Sequence, residues 1–203
     1  IEEELERMEH RDEHLQELEH LLQQKEKDLA LLGQELTEIR LQVGKRLAQA
    51  IEGELQDLKM ERTRFQVALF TEPAATGILV NGERVAFSRQ GIDRVEFLFS
   101  PNPGEPCRSL ARIASGGELS RILLAMKAIL ARLDAVETLV FDEVDTGVSG
   151  EVAQKIGEKL YRISQGRQVL SITHLPQVAA MADHHLWITK EQSTDETVTK
   201  VRV

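Results

Sequence analysis

Cysteine occurs once in this chain, at Cys107, which excludes an internal disulfide and suits a reducing compartment. No apolar run reaches membrane-spanning length, and the charged N-terminal stretch is no signal peptide. Aromatic residues make up only 4% of the sequence, so aliphatic side chains must supply the core. Basic residues are outnumbered 25 to 34 by acidic ones, so no broad positive surface advertises a nucleic acid partner. Proline is absent before Pro73, and residues 1–62 hold three glycines, so little interrupts a helix there. A phosphate-wrapping G-x-x-x-x-G-K-[ST] loop is also missing. Gly44-Lys45-Arg46 fails the pattern because Arg46 is neither Ser nor Thr and position 39 is isoleucine.

The charge that is present is unevenly divided. Residues 1–60 carry 16 acidic and 8 basic side chains, a net −8, which leaves −1 of the chain's −9 for residues 61–203. The same acidic segment has a heptad pattern. With Ile1 at position a, the later a positions are Met8, Leu15, Leu22, Leu29, Leu36, Val43 and Ala50, all apolar. The d positions are mixed: Glu4, Arg11, Leu18, Lys25, Leu32, Ile39, Arg46 and Gly53. After Val43 the apolar series moves to Leu47, Ile51, Leu55 and Leu58, which reads as a stutter. A half-polar seam of this kind suits one strand of an antiparallel coiled coil better than a parallel zipper. A free-standing homodimeric coiled coil is the competing reading of the heptads alone. His10, His14, Glu17 and His20 share this helix, but no cysteine or H-E-x-x-H accompanies them, and solvated histidines on an acidic helix explain them more simply.

Beyond residue 63 the pattern changes to alternating short elements. Phe65, Val67 and Leu69 predict a strand that Pro73 to Gly77 break. Ile78 to Val80, Asn81-Gly82 and Val85 to Phe87 predict a hairpin. Arg94 to Ser100 is a further strand, and Pro101 to Pro106 a loop. A helix is expected from Ser115 to about Leu133, with Ile122, Leu123, Met126, Ile129, Leu130 and Leu133 on its buried face. A buried strand Thr138–Phe141, a helix from about Gly150 to Ser164, a strand Gln168–Thr173, a short helix Pro176–Ala182 and two last strands near Leu186–Thr189 and Val198–Val203 complete the series.

Three junctions in this series carry chemistry. Ser115-Gly116-Gly117-Glu118 opens a helix, where free N–H groups and the helix dipole favour an anion, and Ser115 with Glu118 has capping-box spacing. Thr138 to Phe141 runs into Asp142-Glu143, two carboxylates at a strand end, suited to a metal or a water. Val169 to Thr173 runs into His174.

In this order the motifs resemble the ATP-binding-cassette ATPases: signature, Walker B, D-loop and H-loop. The wording of Ser100 to Pro106, Leu110 to Arg121, Asp142 to Gly150 and Thr173 to Ala179 is similar to the RecN family, bacterial DNA-repair relatives of the SMC proteins. The resemblance covers roughly residues 64–203. Glu118 stands where cassettes usually have glutamine, as in SMC-type heads, and Ser149 where many have the D-loop aspartate. The resemblance implies the C-terminal half of an α/β ABC-type ATPase head (64–203) behind a returning coiled-coil arm (1–63). It implies ATP and Mg²⁺ as ligands, with Asp142 holding the metal through a water, Glu143 as general base and His174 as a γ-phosphate contact. Ser115, Gly116, Gly117 and Glu118 would serve the nucleotide of an opposite head, with Thr146, Gly147, Val148 and Ser149 as the D-loop. The implied partners are the N-terminal half of the same head, a second identical head and DNA, with no membrane, in a cytoplasmic, nucleoid-associated protein of recombinational repair. The chain starts within a helical pattern without an initiator methionine, so it is expected to be the C-terminal part of a longer protein whose N-terminal portion brings the phosphate loop. A transporter-type cassette has no place for the helical arm. A purely structural coiled-coil protein leaves the acidic strand ends unexplained.

Overall fold

The computed structural model describes residues 2–112, 116–131, 133, 135–192 and 197–202. It opens on one uninterrupted helix, α1 (Glu2–Gln56), about 80 Å long at 1.5 Å per residue. Short strands follow: β1 (Arg64–Thr71), β2 (Pro73–Val80), β3 (Glu83–Val85), β4 (Asp93–Ser100) and β5 (Arg108–Ser109). The remainder alternates as α2 (Gly116–Leu130), β6 (Thr138–Phe141), α3 (Gly150–Ser164), β7 (Gln168–Ser171) and α4 (Pro176–Ala179), and ends on β8 (Trp187–Gln192) and β9 (Thr197–Arg202). The class is therefore mixed α/β behind a long N-terminal helix. Contacts divide the chain into two compact units, Ile1–Ala48 with Gln66–Leu98 and Gln49–Phe65 with Phe99–Val203.

In the first unit, β2 and β3 form the expected hairpin. Asn81 (φ 51) and Gly82 (φ 89) both take the left-handed conformation that a two-residue type I′ turn requires. Against the expectation of a break at Pro73–Gly77, β2 continues through it by a bulge, with Pro73 and Ile78 both opposite Val85. Gly77 makes that possible, because a Cβ there would lie 2.0 Å from the Val85 carbonyl oxygen. Ile78, Val80, Val85 and Ile92 form a small core to which α1 contributes Ala30. Arg40 Nη1 donates to Asp93 Oδ2 at 2.8 Å and Thr37 Oγ1 to Asp93 Oδ1 at 2.6 Å, so the buried Asp93 carboxylate is satisfied from the helix. The stripe of α1 used here runs through Ala30, Gly33, Thr37, Arg40 and Gly44. Most of the heptad seam is left exposed, including Leu15, Leu22, Leu29, Leu32, Ile39 and Val43. The two glycines allow close approach: a Cβ at Gly33 would meet Ile92 at 3.1 Å, and one at Gly44 would meet Val67 at 3.1 Å.

In the second unit, the residues of the stutter become core, with Ile51, Leu55 and Leu58 buried. Lys159 of α3, also buried, pairs with Glu54 and with Asp57 (2.8 Å) at the root of α1. Strands β6 and β7 pair in parallel, Thr138 opposite Gln168 through Phe141 opposite Ser171, with α3 in the crossover. Leu139 and Phe141 are buried, whereas Val140, Leu170 and Ile172 are exposed. The pair is thus covered on one face among the described residues, not on both as a continuous apolar run suggests. Helix α2 ends at Leu130 instead of Leu133, because a turn closed by Leu133 N–H to the Leu130 carbonyl (2.9 Å) takes over. Its buried positions are Gly117, Ile122, Leu124 and Ala125, and the expected core residues Leu123 and Leu133 are exposed.

Candidate functional site

The site gathers at the C-terminal ends of β6 and β7, the edge at which open α/β sheets place ligands. Asp142 and Glu143 leave β6 with exposed side chains, and Glu143 sits at φ 56. A side chain other than glycine in the left-handed region costs about 1–3 kcal/mol, and such strain concentrates at functional positions. A turn then closes by Thr146 N–H to the Glu143 carbonyl at 3.2 Å, and Gly147 (φ 72) lets the chain continue towards α3. Ser149 occupies the N-cap position of α3 and its backbone carbonyl accepts from Ala153 N–H at 2.9 Å, while its hydroxyl makes no capping bond. The expected D-loop residues Thr146, Gly147, Val148 and Ser149 are therefore the connection from the acids to α3.

Helix α2 is docked onto the same loop. Ser120 Oγ donates to the Asp142 carbonyl at 2.9 Å, and Arg121 Nη1 donates to the Thr146 carbonyl at 3.1 Å. Burial lowers the tendency of the Arg121 guanidinium to stay charged, and Glu118 opposes that shift. A Cβ at Gly117 would stand 3.3 Å from the Thr146 carbonyl oxygen, so this glycine lets the helix lie against the loop backbone. A Cβ at Gly116 would fall 2.5 Å from Glu143 Oε2, so the carboxylate lies in the space the missing side chain leaves. Gly116, Gly117, Glu143 and Thr146 are thus neighbours within one chain. Ser115 lies outside the described residues. A cleft of about 440 Å³ nearby is lined by Lys59, Arg62, Thr63 and Asn102 and reaches this assembly only through Glu118 and Arg121.

The end of β7 joins through a residue to which the sequence reading gave no role. Asp145 is buried, at 2% exposure, and its Oδ2 accepts from the Thr173 hydroxyl and from His174 N–H at 3.3 Å. The His174 ring places Nδ1 3.6 Å from the same oxygen, with the side chain 69% exposed. The ladder gains one more rung, Ile172 N–H to the Phe141 carbonyl at 2.9 Å, before Thr173 turns away to Asp145. This is why β7 ends at Ser171 and not at Thr173. The sequence holds no local signal for Asp145, which is one of three closely spaced acids.

The donor set suits a magnesium–nucleotide complex better than a metal held by protein alone. Among the described residues no three His, Cys, Asp or Glu side chains converge as a metal cluster. Mg²⁺ asks for less, since it keeps several waters and takes one or two carboxylates with phosphate oxygens. The exposed carboxylate of Asp142 at the strand end fits that demand.

No protein-family model matches the chain. It is 49% identical, over its whole length, to the DNA repair protein RecN of Bacillus subtilis (strain 168), of which it spans 36%. It is 48% identical over its whole length to DNA repair protein RecN of Halalkalibacterium halodurans, of which it spans 34%. Over 85% of the chain it is 43% identical to DNA repair protein RecN of Streptomyces coelicolor, of which it spans 30%. The chain thus spans about a third of the length of these relatives. Among solved structures it is similar to an Smc head domain with an extended coiled coil from Pyrococcus furiosus, at 15% identity and a TM-score of 0.48, over 98% of this chain and 52% of that one. A second similar structure is an Smc head domain from Pyrococcus yayanosii, at 18% identity and a TM-score of 0.49, over 78% and 26% of the two chains.

Proposed function

Because the whole chain matches a segment of the RecN family of DNA repair proteins, we propose that it forms the C-terminal part of an ATPase head whose nucleotide cycle controls association with DNA during double-strand-break repair. The observation that carries this reading is that the strained Glu143 after β6 and His174 after β7 leave the same end of two paired parallel strands, with the glycine-opened start of α2 docked on the loop that follows Glu143. Each element suits a part of phosphoryl transfer, in which the protein mainly positions groups and stabilises charge.

Asp142 would hold Mg²⁺, which when bound would supply positive charge for the phosphate oxygens. Glu143 is exposed and its backbone is fixed by the turn to Thr146, so its carboxylate can accept a proton from an attacking water. The exposed imidazole of His174 presents its ring edge to the γ-phosphate and to the attacking water. Gly116 and Gly117 permit close backbone approach at a helix N-terminus, and with Ser115 and Glu118 they serve the nucleotide of a second, identical head. The phosphate loop comes from the N-terminal half of the same head. The D-loop residues 146–149 link the acids to α3 and so carry the state of one site to the other. The protein works in the cytoplasm, on the nucleoid.

The decisive experiment is Glu143→Gln in the full-length protein. It should leave ATP binding intact and slow hydrolysis by about 10²-fold or more, the usual worth of a positioned base. Heads trapped with ATP should then stay paired and retain DNA. Hydrolysis within about twofold of the parent would remove Glu143 from this role.

A further inference from the structure

We propose that Asp145 is the positioning residue that fixes the ring of His174 at the edge of the sheet. The carboxylate is buried, and an ionised group in that position needs donors. Among the described residues no Lys or Arg pairs with it. Its partners are the Thr173 hydroxyl, the His174 backbone N–H at 3.3 Å and, at ion-pair range, His174 Nδ1 at 3.6 Å. Thr173 Oγ1 in turn accepts from Leu175 N–H at 3.1 Å, so one carboxylate organises the whole turn from 173 to 175.

The consequence falls on the ring. Which imidazole nitrogen carries the proton is set by the partner of the other. An acceptor facing Nδ1 puts a proton there and leaves the Nε2 edge for a ligand arriving from solvent, to which 69% of the side chain is open. Asp145 hangs from the β6 loop that also carries Glu143, whose carbonyl closes the turn with Thr146. The orientation of His174 is thereby tied to the position of Glu143 across the two strands. The functional half of this inference rests on His174 as a phosphate contact; the geometric half does not.

The test uses the full-length protein carrying ¹⁵N-labelled histidine, with Asp145→Ala, Asp145→Asn, His174→Ala and the Asp145→Ala/His174→Ala double variant. The His174 ring should show one Nδ1–H form in the parent and exchange averaging in Asp145→Ala. Asp145→Asn keeps an acceptor oxygen and should stay close to the parent, which separates positioning from collapse of the fold. An Asp145→Ala ring signal identical to the parent's overturns the proposal whatever the kinetics. In ATP hydrolysis, Asp145→Ala should lower kcat about tenfold with KM within about twofold, and the double variant should be no slower than His174→Ala. Losses that multiply overturn the proposal. If His174→Ala leaves kcat intact while the ring signal responds to Asp145→Ala, the positioning stands and the phosphate role of His174 falls.

Discussion

Leu22 and Leu55 stand on the same helix, on either side of the stutter, and differ completely in fate: Leu22 is 60% exposed and Leu55 is 0% exposed. The helix backbone treats them alike. The difference lies in what the chain itself brings against each. In the unit that holds Leu55, the root of α1 is enclosed with Ile51, Leu58 and the buried side of α3. In the unit that holds Leu22, strands pack on a different stripe, through Ala30 and Gly33, and the heptad seam stays open. A heptad repeat therefore states that a surface is apolar, not that this chain covers it. The stutter after Val43 marks where the apolar series passes from exposed positions to the chain's own core.

That contrast gives the largest expected effect on stability. Leu55→Ala in the chain should cost about 2–5 kcal/mol in urea denaturation, the usual range for a fully buried leucine. Leu22→Ala should stay within about 0.5 kcal/mol, as surface changes do. Equal losses at the two positions would mean that the seam is covered already, for example by a second copy of the chain.

The site can be probed with a similarly local change. A methyl group added at Gly116 competes for the space that Glu143 Oε2 occupies, and the carboxylate is the part free to move. Displacing a catalytic group by about 1 Å can cost up to 10²-fold in rate. Gly116→Ala in the full-length protein should therefore slow ATP hydrolysis by about one to two orders of magnitude while thermal stability hardly changes. If the rate is unaffected, the contact between α2 and Glu143 has no part in turnover.

How much of this could be read beforehand depended on how local the determining physics is. The β2–β3 hairpin was legible because Asn81-Gly82 dictates its own turn. The sequence β6, α3, β7 was legible because periodicity and breakers delimit each element. The heptad series reads as a coiled-coil seam, and the stripe of α1 that meets the chain's own strands, through Ala30 and Gly33, is a different one. The overlooked signal was glycine inside a helix at Gly33 and Gly44, a costly choice that makes sense where another segment comes close. The break expected at Pro73 to Gly77 proved to be a bulge, because a strand can absorb one when glycine admits the opposing carbonyl. Asp145 could not be singled out at all. Asp142, Glu143 and Asp145 look alike as letters, and only the fold buries the third.

The helix glycines offer a smaller and sharper comparison between the two units. Gly53 has nothing within 4 Å of an added Cβ, so Gly53→Ala should stabilise by about 0.5–1 kcal/mol through helix propensity alone. At Gly44 the new methyl would meet Val67 Cβ at 3.1 Å, an atom fixed to its backbone, so the same exchange should gain nothing or lose stability. Identical gains at Gly44 and Gly53 in thermal melts would show that β1 does not press on the helix there.

The smallest effect concerns the charges at the root of α1. Lys159 is almost completely buried, whereas its partner Asp57 is 50% exposed at the side chain. The hydrogen bond from Lys159 holds the Asp57 carboxyl below its ordinary value of 3.8, with the charge of Lys159 adding to the shift and partial burial opposing it. A carboxyl depressed in the folded state contributes stability that is present above the unfolded value of 3.8 and is lost as pH falls through the folded one. Because solvent screens a half-exposed pair, the contribution should stay below about 1 kcal/mol. Glu54 continues to neutralise Lys159 when Asp57 is removed, so Asp57→Asn should not unfold the root. Urea denaturation of the parent and Asp57→Asn between pH 6 and pH 3 checks this. The parent's advantage should be constant down to about pH 5 and shrink as the pH falls to 3.8 and below. An advantage that does not shrink at low pH would assign it to packing of the side chain instead of to its charge.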